Sequence, residues 1–251
     1  MSDEMSGQGV QPPPAPPVRR AGVAGPISAV LFTVAGLAAF LLESSARTAG
    51  YDDGDNPAQS VAMFAVNPTP YSLSGLALTV AALALLMFVL AVSETLFRRV
   101  RPLYAAFVTG TGAIAAAFLF LGGVIRLQAP GTVTHIAGLD REWGLSAYLA
   151  VQMSGTQGAL SAAIFAFVLW AVGVCVLAGR SRAVPVVVLV IGVLPALVLL
   201  VPLLALLGRV TGSPALDAAY PVYLAAIFGG IPLFALTLAG VLLRMRNSPA
   251  G

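Results

Sequence analysis

Apolar positions in this chain fall in unbroken runs, with neither the alternation of a half-buried strand nor the narrow stripe of a surface helix. Six runs stand out, at about 24–43, 72–93, 104–125, 149–178, 184–207 and 221–243. Each is close to or longer than the ~20 residues with which a helix, rising ~1.5 Å per residue, crosses the ~30 Å hydrocarbon layer of a bilayer. In lipid every backbone N–H and C=O must be bonded within the segment, which a helix achieves alone. The pattern predicts an all-α, polytopic membrane bundle of six transmembrane helices across residues 24–246, with both ends of the chain on one side.

The links between runs are unequal. Phe97-Arg98-Arg99-Val100-Arg101-Pro102 and Gly179-Arg180-Ser181-Arg182 are so short that spans two and three, and spans four and five, must form antiparallel hairpins. The opposite links, about 44–71, 126–148 and 208–220, are longer and carry Pro, Gly and acids, which is loop composition; any cap outside the membrane is expected there. Basic residues divide the same way. Arg19, Arg20, Arg98, Arg99, Arg101, Arg180, Arg182, Arg244 and Arg246 lie on the side of the termini, against Arg47, Arg126, Arg141 and Arg209 opposite. The positive-inside rule then places both termini in the cytoplasm. Residues 1–23, with Gln11-Pro12-Pro13-Pro14-Ala15-Pro16-Pro17, are too Pro-rich and too poor in large apolar groups to build a core, and read as a disordered cytoplasmic tail. Residues 247–251 form a second, short tail. Arg19-Arg20 ahead of an apolar run, with Ser44-Ser45-Ala46 behind it, also has the outline of a cleavable leader. The length of the tail and of the run favours a retained first span.

Composition narrows the chemistry. Of 251 residues 59% are apolar and 9% charged, against about a quarter charged in soluble domains. All 13 basic residues are Arg. A retinal or pyridoxal Schiff base and a phosphate-loop nucleotide site each need a lysine, so those classes are excluded. With His135 and Cys175 the sole residues of their kind, a bis-histidine haem or a zinc cluster lacks ligands. No catalytic group, metal or cofactor is expected. The high isoelectric point, about 9.4, comes from Arg at the ends of runs and not from a basic face, so nucleic acid is not an expected partner. The expected partners are the lipid bilayer and, through small-residue faces, another membrane protein or a second copy of the chain.

Glu43, Glu94, Arg126 and Arg209 fall at the ends of runs, where long side chains are expected to reach the membrane surface. No Asp, Glu, Arg or His lies near the centre of a run, which disfavours a proton relay or an ion pathway. Tyr51-Asp52-Asp53-Gly54-Asp55-Asn56 gathers three carboxylates around a glycine, but it lacks the glutamate that closes a calcium loop and reads as a polar turn, with cation binding the alternative. The fourth run opens on Gln152-Met153-Ser154-Gly155-Thr156-Gln157-Gly158-Ala159-Leu160-Ser161. There Ser154, Gln157, Gly158 and Ser161 follow helical three-and-four spacing. Small and polar residues on one face in lipid signal a helix–helix seam. The alternative is a ligand site in which Gln152 and Gln157, with Ser154 and Ser161, line a polar pocket facing outward. Pro185, Pro195, Pro202, Pro221 and Gly229-Gly230-Ile231-Pro232 predict kinks in the last two spans.

Ala21-Gly22-Val23-Ala24-Gly25 before the first span, the basic second hairpin link, and Ser181-Arg182-Ala183-Val184-Pro185 leading into Val190-Ile191-Gly192 resemble the plan of a group of bacterial six-span membrane proteins of unknown function, over about 21–246. The resemblance implies the architecture and a bacterial cytoplasmic membrane, and contributes no functional residue. The sequence therefore reads as a non-catalytic integral membrane protein of unassigned role. The alternatives are a small permease or transporter subunit for a small neutral or lipidic solute, and an accessory or scaffold subunit of a larger membrane complex.

Overall fold

The computed structural model describes residues 23–51, 56–97, 102–180, 185–193 and 226–247, and every regular element among them is helical. These are α1 (Ala24–Thr48), α2 (Pro57–Val66), α3 (Thr69–Leu96), α4 (Pro102–Leu139), α5 (Arg141–Leu149), α6 (Gly158–Arg180) and α7 (Ile231–Asn247). Residues Ala150–Gln157 join α5 to α6 as a π-helical segment, so that Arg141–Gly179 forms one rod. Residues 186–193 are also helical, and a π turn, Ala226–Gly230, precedes α7. Four helices among the described residues, α1, α3, α4 and the α5–α6 rod, are long and apolar enough to cross a membrane. Spans five and six are described in residues 185–193 and 226–247 alone. The rest of both, the outer link 208–220, the Pro-rich tail, the acidic turn at 52–55 and the basic residues 98–101 and 181–184 lie outside the described residues.

The helices run further than their apolar cores. The stretches 44–71 and 126–148, expected as loops, are largely helical. α1 continues through Ser44-Ser45-Ala46, with Ala46 wholly buried. α4 continues through Pro130-Gly131 to Leu139. Pro fits the helical φ and here sacrifices one bond: lacking an N–H, Pro130 leaves the carbonyl of Arg126, four residues earlier, without its helical donor. Local chemistry sets the short elements. Asn56 caps α2 by accepting from the Gln59 amide, ahead of Pro57 at the first position. Asp140 caps α5 by accepting from the Glu142 and Trp143 amides.

α3 packs between α1 and α4, α4 packs between α3 and the α5–α6 rod, and α7 lies on α1. The long neighbours are antiparallel. A methyl group at Gly25 would meet Ala91 and Leu242, and one at Gly173 would meet Val108, while Gly122 faces Ala159 and Leu160. The core is centred on Trp170, wholly buried, with ring centroids 5.3 Å from Phe167, 5.8 Å from Phe88 and 6.1 Å from Phe234.

A backbone-to-backbone approach joins α3 to α4. A Cβ at Gly75 would lie 2.4 Å from the Leu127 amide nitrogen and 2.7 Å from the Gly123 carbonyl oxygen. A Cβ at Gly123 would lie 2.8 Å from the Thr79 nitrogen. Backbone therefore rests on backbone, the arrangement by which small residues hold helices together where lipid removes the hydrophobic drive to associate. Gly75→Ala or Gly123→Ala should cost about 2 kcal/mol or more, since the atoms in the way are backbone. Gly36→Ala and Gly110→Ala, with nothing within 4 Å, should be neutral within about 0.5 kcal/mol. Thermal unfolding of the four variants in detergent micelles checks the contrast.

Candidate functional site

A buried polar cluster lies at the end of the bundle where α1 finishes and α3 begins. Glu43 is 19 residues along α1, ~29 Å from its start at a rise of ~1.5 Å, close to one hydrocarbon thickness. The Gly75–Gly123 seam sets the cluster's register. Tyr71 is one helical turn before Gly75, and Arg126 about one turn after Gly123, so the glycine contact brings the tyrosine ring beside the guanidinium. The Arg126 Cζ lies 5.2 Å from the Tyr71 ring centroid, within cation–π range.

Arg126 Nη1 donates to Glu43 Oε2 at 2.5 Å, and Arg47 Nη2 donates to Glu43 Oε1 at 3.0 Å. The carboxylate thus sits between two guanidinium groups in different surroundings. The Arg126 side chain is 4% exposed and that of Arg47 45%. On its far side Tyr71 donates its hydroxyl to Gln152 Oε1 at 3.1 Å. Five side chains from α1, α3, α4 and the π segment form one chain of contacts, Arg47–Glu43–Arg126–Tyr71–Gln152.

Aromatic rings roof it. Tyr51 follows Gly50, whose φ of +112° favours glycine and turns the chain out of α1. The Tyr51 ring lies 4.7 Å from Tyr71 and 5.9 Å from Phe64 of α2, and Phe64 lies 4.8 Å from Tyr71 and 5.9 Å from Tyr148 of α5. Ala46, Met63, Ala129 and Val133 complete this second core. α5 is pressed onto α4 because Gly144 leaves no room there for more than hydrogen: its Cβ would lie 2.4 Å from that of Ala137.

The structure separates the residues singled out by spacing. Gln152 is 1% exposed and joins the cluster, whereas Gln157 and Ser161 are exposed; Ser154 lies in the π segment, and its side chain is outside the described residues. The three-and-four register assumes an α-helix, and the i→i+5 bonding of Ala150–Gln157 breaks it. Gln152 is buried and Gln157 exposed, so the two are not brought together. Glu43 and Arg126 depart from expectation in the opposite sense. Instead of reaching to the membrane surface, they turn inward onto each other. Their signal in the sequence was two opposite charges at the ends of the first and third runs, which an antiparallel three-helix order places at the same level. His135 is exposed, and no group of three His, Cys, Asp or Glu side chains among the described residues is arranged to hold a metal. A shallow apolar groove of about 390 Å3 between α1 and α3, lined by Ile27, Leu31, Leu83 and Met87 among others, includes no residue of the polar cluster.

Comparison with protein-family models, curated proteins and solved structures finds no match to this chain.

Removing one member of a buried ion pair strands the other charge, at a cost of about 3–5 kcal/mol, whereas replacing both with apolar groups is often close to neutral. Glu43→Leu should therefore destabilise strongly, and Glu43→Leu with Arg126→Leu should recover most of the loss. A double-mutant cycle of unfolding in detergent measures it.

Proposed function

We propose that this chain is a non-catalytic, six-span protein of the bacterial cytoplasmic membrane with both termini cytoplasmic. In this reading it serves as a small permease or transporter subunit that takes a small neutral or lipidic solute at the outer end of the bundle. The resemblance of its sequence plan to bacterial six-span proteins of unknown function supports the setting. The observation that carries the functional reading is Gln152, an amide 1% exposed in a membrane-spanning rod and tied to Tyr71 beside the Glu43–Arg126 pair. Ionisable groups inside a span are costly to bury and mark ligand and ion sites, and Gln152 is joined through Tyr71 to such a pair. π segments, too, concentrate at functional positions, because they turn side chains off the helical register. With the termini cytoplasmic, as this reading takes them, the cluster's level about one hydrocarbon thickness from the start of α1 supports an outward-facing mouth.

Two measurements test this. Purified protein screened by thermal shift against metabolite and lipid panels should be stabilised by at least one solute, and Gln152→Leu should lose that response. At a hundredfold excess over Kd the stabilisation is about 2.7 kcal/mol. Absence of any response would overturn the permease reading and leave the accessory-subunit reading, which requires a co-purifying membrane partner. For orientation, single cysteines at Leu139 and Ser181 in a Cys175→Ala background should be labelled by an impermeant maleimide from outside and from inside the cell respectively. The reverse pattern would overturn it.

A further inference from the structure

We infer that the π segment and α4 together build a buried site for a phosphate-type oxyanion, with Arg126 Nε and the Thr156 hydroxyl as its donors; this rests on the solute-binding reading above but goes beyond its neutral or lipidic solute to an anionic group. Two unrelated side chains carry it. Arg126, 3% exposed, spends Nη1 on Glu43, but its Nε has no hydrogen-bond partner among the described residues. Thr156 is 0% exposed, and its Oγ1 likewise has no partner among them. A buried donor left unbonded is costly, so two of them at one junction call for an acceptor. The two come from elements in contact at the adjacent residues: a Cβ at Gly155 would lie 2.9 Å from Ile125 Cγ2.

Thr156 retains its donor. Thr33, Thr79, Thr95, Thr109 and Thr237 each return their hydroxyl to the carbonyl four residues earlier, the usual outlet for threonine in a membrane helix. Thr156, within the π segment, does not take this outlet. Gln152 and Thr156, four apart and so on one face, are both buried, whereas Gln157 and Ser161 are exposed.

Charge and position select the ligand class. One carboxylate, Glu43, stands between two guanidinium groups, so the cluster carries an excess positive charge. A guanidinium N–H and a hydroxyl are a donor pair suited to a phosphate oxygen. The level of the cluster, about one hydrocarbon thickness along α1, is that of lipid phosphates as well as of a solute entering from outside. The shared chemistry is the phosphate oxyanion, as a lipid headgroup or free.

The test uses the full-length protein in uncharged detergent. Thermal unfolding is followed against inorganic phosphate, with sodium chloride at equal ionic strength as control, and against phosphatidylglycerol, with diacylglycerol as control. A rise in Tm with phosphate assigns the free anion; a rise with phosphatidylglycerol and not with diacylglycerol assigns the headgroup. Either supports the site, provided Thr156→Val weakens the apparent affinity about tenfold and Thr156→Ser retains it. Without ligand, Thr156→Val should keep or raise Tm, because it removes an unbonded buried hydroxyl. No response of the wild type to either probe, or an equal response in Thr156→Val, overturns the proposal. If a different solute from the panels stabilises the protein through Gln152 while both phosphate probes fail, this inference falls and the permease reading stands.

Discussion

The half of the structure where α1 ends and α3 begins depends on a buried pair of opposite charges. Arg126 lies in the interior of a 38-residue helix and is almost wholly enclosed, a position a guanidinium can hold in a low-dielectric setting if a carboxylate faces it. Glu43 faces it from α1, held from behind by Arg47. The requirement for that partner fixes how far α1 slides along α4, although α3 runs between them. The α3–α4 contact is fixed independently by Gly75 and Gly123, where backbones meet with no side chain intervening. With both constraints in place, Tyr71 comes beside Arg126, and its hydroxyl reaches Gln152. Pro130 adds a local reason for the site to form here. The carbonyl it leaves unbonded is that of Arg126, and α3 approaches most closely at this turn.

The π segment reconciles two faces that other contacts have set. α5 is held on α4 by Gly144 against Ala137, and α6 is held on the same helix by the Gly122, Gly112 and Gly173 contacts. A strictly α-helical join would have to satisfy both faces with one register. The join is instead the π-helical Ala150–Gln157, within which Gln152 and Thr156 are buried. The same contacts bring Tyr148 to the aromatic roof, so the cap and the polar cluster share their supports.

How much of this was legible in the sequence depended on the range of the interaction. The first four apolar runs and the antiparallel hairpin of spans two and three follow from local composition, and the structure carries the corresponding helices. Loop punctuation misled at Pro130-Gly131, because proline and glycine are tolerated in a helix whose other face is packed. The spacing of Ser154, Gln157 and Ser161 did not foretell which side chains turn inward: Gln157 and Ser161 are exposed, whereas Gln152 and Thr156 are buried. Gln152, within the same motif, was legible as a polar residue in lipid, but its partner Tyr71 lies 81 positions away.

What the sequence by itself determined was the solvent. A chain with 9% charged residues, collected between long apolar runs, must bond its backbone within helices and bury those helices in lipid, whatever their arrangement. The tertiary structure decided where the few charges go. Glu43 and Arg126 are 83 residues apart and unremarkable at the ends of their runs. They became a buried pair because two glycines allowed helices to touch and a proline-bearing helix ran on beyond its apolar stretch, contacts that no local pattern encodes.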